Sequence, residues 1–269
     1  CKTMTDLDPN LLFIKFGGSL ITDKDQAESA RADLIFMLLQ EIGQQLQREP
    51  SLKILIGHGS GSFGHHAARK FGTRKGVSTP EDWQGFQEVW LSAHKLNQIV
   101  ISLATKARLP VISFPPSAAT FTTNHIVQYW ELTPMRSVLA HGLIPLVYGD
   151  VVVDTALGGT ILSTEDLFVY LAKQLHPARI LLAGSEEGVF TDFPANTHLI
   201  PVINRDEDLS GILKGSASQD VTGGMLTKVN LMQALCRELP GLEVRVFSAE
   251  NPTNLSKAMQ GKTVGTLIR

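Results

Sequence analysis

Short apolar runs recur along this chain, separated by polar or amphipathic stretches. Leu11–Phe16, Lys53–Ile56, Pro110–Phe114, Ile144–Tyr148, Arg179–Ala183, Val244–Phe247 and Val264–Ile268 each read as a strand. Helical patterns lie between them. Arg31–Arg48 places Leu34, Leu38, Ile42 and Leu46 at fourfold spacing, which is one helix face. Pro80–Lys106 opens on Thr79-Pro80-Glu81-Asp82, a cap-like order. Glu165–Leu175 stops before Pro177, and Met225–Leu239 supplies a further helix. Gln128–Glu131 reads as a short piece of extra sheet. This alternation predicts an α/β fold: a mostly parallel sheet with helices on both faces. No repeat, low-complexity tract or Pro/Gly-rich linker interrupts it, so any division is into lobes around one sheet.

Glycine turns close several strands at their carboxyl ends, the edge where open α/β sheets hold ligands. The densest is Ile56-Gly57-His58-Gly59-Ser60-Gly61-Ser62-Phe63-Gly64-His65. Glycine admits positive φ and close backbone approach, so successive N–H groups can form a nest around one anion. A histidine at its rim donates to a phosphate oxygen or carries charge, depending on pH. His58, His65 and His66 compete for that role, and spacing does not choose among them. The plain alternative makes all of them polar loop residues.

Lys15-Phe16-Gly17-Gly18-Ser19 sets a lysine in the first strand just ahead of a diglycine turn. Such a lysine would reach transferring phosphoryl oxygens while glycine N–H groups hold nucleotide phosphates; the alternative is a solvent-facing lysine. No G-x-x-x-x-G-K-[ST] loop occurs anywhere. Lys24, in Thr22-Asp23-Lys24-Asp25, reads by itself as a surface charge. Asp220-Val221-Thr222-Gly223-Gly224-Met225-Leu226-Thr227-Lys228 opens the Met225 helix. Thr222 can cap it, and the diglycine can meet phosphate at the helix N-terminus. Lys228 follows Gly224 by one turn and shares its side. Gly149-Asp150 and Gly184 also end strands; Asp150 could orient lysines, contact an acceptor, or simply turn the chain. In Gly159–Asp166 a nucleotide or metal contact competes evenly with a helix cap by Ser163 or Thr164.

Formal net charge is −2 over 269 residues, so no basic field argues for nucleic acid. The two cysteines, Cys1 and Cys236, make no metal pair and are expected as reduced thiols. No run reaches the ~18 apolar residues of a membrane span. The expectation is a cytoplasmic protein.

Taken together, the segments resemble the amino acid kinase superfamily, and within it the isopentenyl phosphate kinase family. The likeness rests on Lys15–Ser19 with Lys24, Gly59–His65, Gly149–Val152, and Asp220–Met225 with Lys228, in the family's order. It implies a three-layer αβα sandwich in one domain over 1–269, with an acceptor lobe to about residue 175 and a nucleotide lobe from about 176. It also implies transfer of the ATP γ-phosphoryl group, with Mg²⁺, to isopentenyl phosphate, and a homodimer. Carried over, Lys15 and Lys24 stabilise the transferring group and His65 grips the acceptor phosphate. Ser60, Gly149 and Asp150 line the acceptor. Gly17, Gly18, Ser19, Gly61, Gly184, Gly188, Gly224 and Lys228 contact ATP. The family's S-G-D-D and T-D-V-D-G-V-Y patterns stand here as Ser163-Thr164-Glu165-Asp166 and Ala183–Phe190. Phe71, Phe86, Val89, Trp90 and Ala93 are candidate walls for an isoprenoid tail, with core packing as the alternative. A fosfomycin-type acceptor, or a nucleotide-binding module without turnover, are the competing readings.

Overall fold

The computed structural model describes residues 6–23, 25–192, 195–209 and 224–269, and for His65 and His66 the backbone alone. Lys24 and Asp220–Gly223 therefore lie outside the described residues. The first half of the chain runs β1 (Asp8–Phe16), α1 (Gly18–Ile21), α2 (Ala32–Arg48), β2 (Lys53–His58), α3 (Gly61–Phe71), α4 (Pro80–Lys106), β3 (Val111–Ser113), α5 (Pro116–Ala119), β4 (Thr120–Thr123) and β5 (Ile126–Trp130). It continues through α6 (Thr133–Ala140), β6 (Ile144–Tyr148), β7 (Asp150–Asp154), β8 (Gly158–Leu162), α7 (Thr164–Leu175), β9 (Pro177–Gly184), β10 (Val202–Ile203), α8 (Met225–Glu238), β11 (Glu243–Ser248), α9 (Thr253–Met259) and β12 (Thr266–Ile268).

The main sheet has strand order β10-β12-β11-β9-β1-β2-β6-β3. β12 pairs antiparallel with β11, while the ladders from β11 through β3 are parallel. Parallel strands covered on both faces need apolar residues at every position, which is why the runs read as continuous. Strand alternation still sorts them. Leu11 and Phe13 of β1 pack with the layer of α6, α7 and α8. Leu12, Ile14 and Phe16 pack with α2, α4 and α9. Period two therefore turns Lys15 toward the α7/α8 side, at the carboxyl end of a central strand.

The long helix forms where its cap signals place it. Thr79 accepts from the Asp82 N–H at 3.2 Å, and the Asp82 carboxylate accepts from the Thr79 N–H at 2.9 Å. That reciprocal box, with Pro80 as the first helical residue, fixes the start of α4.

Two expectations change. The short piece of extra sheet read at Gln128–Glu131 is β5, one strand of a second, four-stranded sheet of order β5-β4-β7-β8. Its strands read weakly in sequence because Thr120–Thr123 and Gly158–Leu162 lack a clean apolar period. The glycine segment is a loop only as far as Ser60, and Gly61–Phe71 is helix α3. Packing overrides its poor helix propensity: Ala67 and Ala68 bury with Val89, Val151 and Ile161 in an apolar cluster under Phe86 and Trp90. Of the candidate tail walls, Val89 is 3% and Ala93 1% exposed, so both serve the core.

Candidate active site

The carboxyl ends of β1, β2, β6 and β9 meet at one place, and hydrogen bonds stitch them together. Gly17 N–H donates to the Ala183 carbonyl at 2.8 Å, Gly59 N–H to Phe16 at 3.0 Å, and Gly149 N–H to His58 at 3.1 Å. The two glycine turns touch backbone to backbone. A Cβ on Gly18 would lie 2.5 Å from the Gly61 nitrogen, so only glycine fits. Thr22 Oγ1 donates to the Gly18 carbonyl at 2.7 Å and accepts from the Ser62 N–H at 3.0 Å, fixing that contact.

The nest is present. Ser60 is right-handed helical (φ −83°, ψ −16°) and Gly61 turns to φ +48°. A right-handed residue followed by a left-handed one converges successive N–H groups on a common point. Among the described residues, the N–H groups of Gly18, Ser19, Ser60 and Gly61 have no acceptor within the protein. They stand at the N-termini of α1 and α3, where unsatisfied donors and helix dipoles both favour an anion. Ser19 Oγ also lies 3.4 Å from Ser185 Oγ, just beyond Gly184.

Beside this cradle is a charge cluster. Lys15 of β1 donates to Glu165 at the start of α7, and Lys228 in the first turn of α8 stands 3.9 Å from the same Glu165 Oε1 atom. Lys15 is 7% and Glu165 5% exposed. Burial alone would raise the Glu165 carboxyl, but the charges of Lys15 and Lys228 win and hold it at about 2. It is a permanent anion between two cations that face the cradle's end of the sheet.

Glu165 is the residue that sequence reasoning missed. The even choice at 163–166 resolves by splitting. Ser163 and Asp166 form the capping box of α7, while Glu165 turns inward. A signal existed: Glu165 shares the helix stripe of Phe168 and Ala172, both fully buried, and a carboxylate on such a stripe needs a partner.

Asp150 is 1% exposed and accepts from the Val151 N–H at 2.9 Å and the Ser117 N–H at 3.4 Å. Burial pushes it up to about 6 despite those bonds. The carboxylate joining Lys15 and Lys228 is thus Glu165, not Asp150. The histidine choice narrows as well. His58 is fully buried, stacked on Tyr148 at 5.4 Å, so it belongs to the core beneath the nest. The His65 backbone lies in the second turn of α3; its ring is outside the described residues. Gly188 answers a packing need: a Cβ there would meet Leu199 and Thr266 side-chain atoms at 2.7 Å. Gly184 has open space where a Cβ would be, its nearest neighbour the Glu186 nitrogen at 3.9 Å. Gly224 is the N-cap of α8, its carbonyl accepting from the Lys228 N–H at 3.3 Å.

A parallel αβα sheet with a glycine cradle and paired lysines at its carboxyl edge defines a phosphotransferase class. The chain belongs to the amino acid kinase family, whose family model matches residues 10–248. Within that class several full-length relatives are isopentenyl phosphate kinases. The isopentenyl phosphate kinase of Methanothermobacter thermautotrophicus is 32% identical over 269 residues, covering 96% of this chain and 98% of the relative. That of Haloferax volcanii is 32% identical over 267 residues, covering 97% and 99%. A solved isopentenyl phosphate kinase structure superposes with a TM-score of 0.82 at 28% identity, covering 96% of this chain and 100% of that one.

Proposed function

We propose that this chain transfers the γ-phosphoryl group of MgATP to isopentenyl phosphate, yielding isopentenyl diphosphate and ADP. An oxygen of the acceptor phosphate attacks the γ-phosphorus, and the bond from that phosphorus to the β,γ-bridging oxygen breaks, leaving its electron pair on ADP. The acceptor is already an anion near neutral pH, so no strong base is needed. The barrier is repulsion between anions, and catalysis consists of positioning and charge stabilisation. The observation that carries the reading is two ammoniums on one buried carboxylate, at the same strand ends as four N–H groups without acceptors. Near-full-length identity to isopentenyl phosphate kinases supports the choice of acceptor.

In this reading Lys15 and Lys228 neutralise the transferring group, and Glu165 holds them apart and aimed. Gly17, Gly18, Ser19, Gly61, Gly184 and Gly224 contact nucleotide phosphates, and Lys24 joins the lysines. His65, with Ser60, Gly149 and Asp150, takes the acceptor. Mg²⁺ would be supplied with the nucleotide as MgATP and would neutralise phosphate charge there. The acceptor lobe runs to about residue 175 and the nucleotide lobe follows. A homodimer in the cytoplasm completes the proposal; no described helix is long and apolar enough to cross a membrane.

The test is ADP release by the purified protein with MgATP and isopentenyl phosphate, run beside fosfomycin and glutamate. Turnover on isopentenyl phosphate far above the other two is expected. Preference for either alternative, or ATP binding with no turnover on any acceptor, defeats the proposal. His65→Ala should lower kcat by about 10²-fold, as removal of one key donor does.

A further inference from the structure

His58 is a fully buried imidazole in the glycine motif, and the reaction as proposed leaves it without a role. Its surroundings are specific. The His58 carbonyl accepts from the Gly149 N–H at 3.1 Å and from Thr164 Oγ1 at 2.7 Å, so its own peptide is pinned twice. The next N–H, on Gly59, is held by the Phe16 carbonyl at 3.0 Å. The ring then turns back on its own chain: Nδ1 lies 3.1 Å from the Gly59 carbonyl oxygen. On the far side Nε2 stands 3.3 Å from Asn97 Oδ1, and Asn97 Nδ2 donates to Ser113 Oγ at 3.0 Å.

We propose that His58 is a positioning residue, whose Nδ1–H holds the Gly59 carbonyl and thereby aims the Ser60 N–H into the anion nest. This rests on the reading of the nest as the phosphate cradle. The physical step is short. In a trans peptide the C=O and N–H point in opposite directions. With the Gly59 oxygen tied to a ring inside the core, the Ser60 N–H of the same peptide must face the other way, and Ser60 itself is partly exposed. Among the described residues that N–H has no acceptor. Without the ring the plane is free to rotate about its flanking bonds, because the glycine on one side offers no resistance.

Two acceptors compete for the ring proton, the Gly59 carbonyl at 3.1 Å from Nδ1 and Asn97 Oδ1 at 3.3 Å from Nε2. Burial lowers the His58 pKa, so the ring is neutral and carries one N–H. A proton on Nε2 would set two lone pairs, of Nδ1 and the Gly59 oxygen, against each other at 3.1 Å. The shorter contact, to Gly59, takes the proton on Nδ1. That tautomer requires the Asn97 amide to be turned end for end, its NH₂ to Nε2 and its oxygen to the Ser113 hydroxyl.

Two experiments test this. The ring ¹⁵N shifts of His58 in the wild-type protein report the tautomer directly; protonated Nδ1 is expected, and protonated Nε2 overturns the proposal. His58→Phe keeps a ring on Tyr148 and deletes the donor, while His58→Asn loses the ring and keeps an N–H near the Nδ1 position. His58→Phe should lower kcat by about 10²-fold. His58→Asn should return kcat to within about fivefold of wild type, although it disturbs packing more. Equal kcat in the two variants, whether impaired or intact, overturns the assignment, since a packing role would not be rescued by asparagine. The tautomer is read without substrate, so it decides the matter even if His58→Phe fails to fold. A wild type inactive on isopentenyl phosphate would sink the reaction while leaving this arm standing.

Discussion

Replacing Glu165 with glutamine keeps the side chain's shape and removes its charge. Lys15 and Lys228 reach the same Oε1 atom. Their ammoniums therefore stand within about 6 Å of each other, and at an effective dielectric of about 20 the repulsion at that separation is roughly 3 kcal/mol. The carboxylate offsets that repulsion. Its pKa falls from an ordinary 4.5 to about 2, burial opposing and the two lysines prevailing. The difference corresponds to about 3 kcal/mol of stabilisation, the same size by an independent route. Because the folded pKa is depressed, that stabilisation is complete above pH 4.5 and is lost as pH falls through about 2. Nothing in the cluster's carboxylate titrates near neutrality. In Glu165→Gln the two ammoniums lose the anion they share. We expect kcat to fall about 10²-fold. We also expect MgATP to raise the variant's melting temperature more than the wild type's, since the nucleotide supplies an anion to the same cluster. Coupled ADP release and thermal melts measure both. A variant with kcat within about threefold of wild type refutes the account.

Gly18→Ala puts a Cβ 2.5 Å from the Gly61 nitrogen and 2.7 Å from its Cα, both backbone atoms that cannot swing aside. Melts should show a loss of about 1–3 kcal/mol and kinetics a KM for ATP raised about tenfold; unchanged values would mean the two turns do not meet. Asp150→Asn tests burial in the opposite sense from Glu165. The folded pKa rises from 3.8 to about 6. The buried carboxyl is therefore harmless below pH 3.8, and its penalty grows until pH passes about 6. Stability of the asparagine variant relative to wild type should improve by about 3 kcal/mol between about pH 4 and about pH 7 in urea titrations, and a flat difference would contradict it. Thr79→Ala should cost about 1 kcal/mol through the lost cap of α4 while leaving kcat unchanged, as denaturation and turnover side by side will show.

What the sequence made legible follows from where its signals are local. The strands of the main sheet announce themselves because burial on both faces demands unbroken apolar runs, as in Leu11–Phe16 and Ile144–Tyr148. The start of α4 is legible to the residue because Thr79, Pro80 and Asp82 act on their own neighbours. Helix α3 was hidden because its glycines argue against a helix, and only distant contacts with α4 and β7 overrule them. The second sheet was hidden because Thr120–Thr123 pairs with β7 some thirty residues away and carries no period of its own.

The site divides along the same line. The glycine cradle could be read from composition alone, since close approach and positive φ are properties of the residue type. For Glu165 the helix stripe shows that a partner is needed, but not which one, because that partner is Lys15, 150 residues earlier in the chain. Burying a carboxylate costs desolvation, and here the two lysines more than offset it. The same two ammoniums stand at the strand ends that carry the cradle, so a phosphate arriving there adds a second anion to a cluster that Glu165 already holds in place. Glu165 and the phosphates would therefore share the same two cations, the carboxylate fixing where the charge sits before the nucleotide binds.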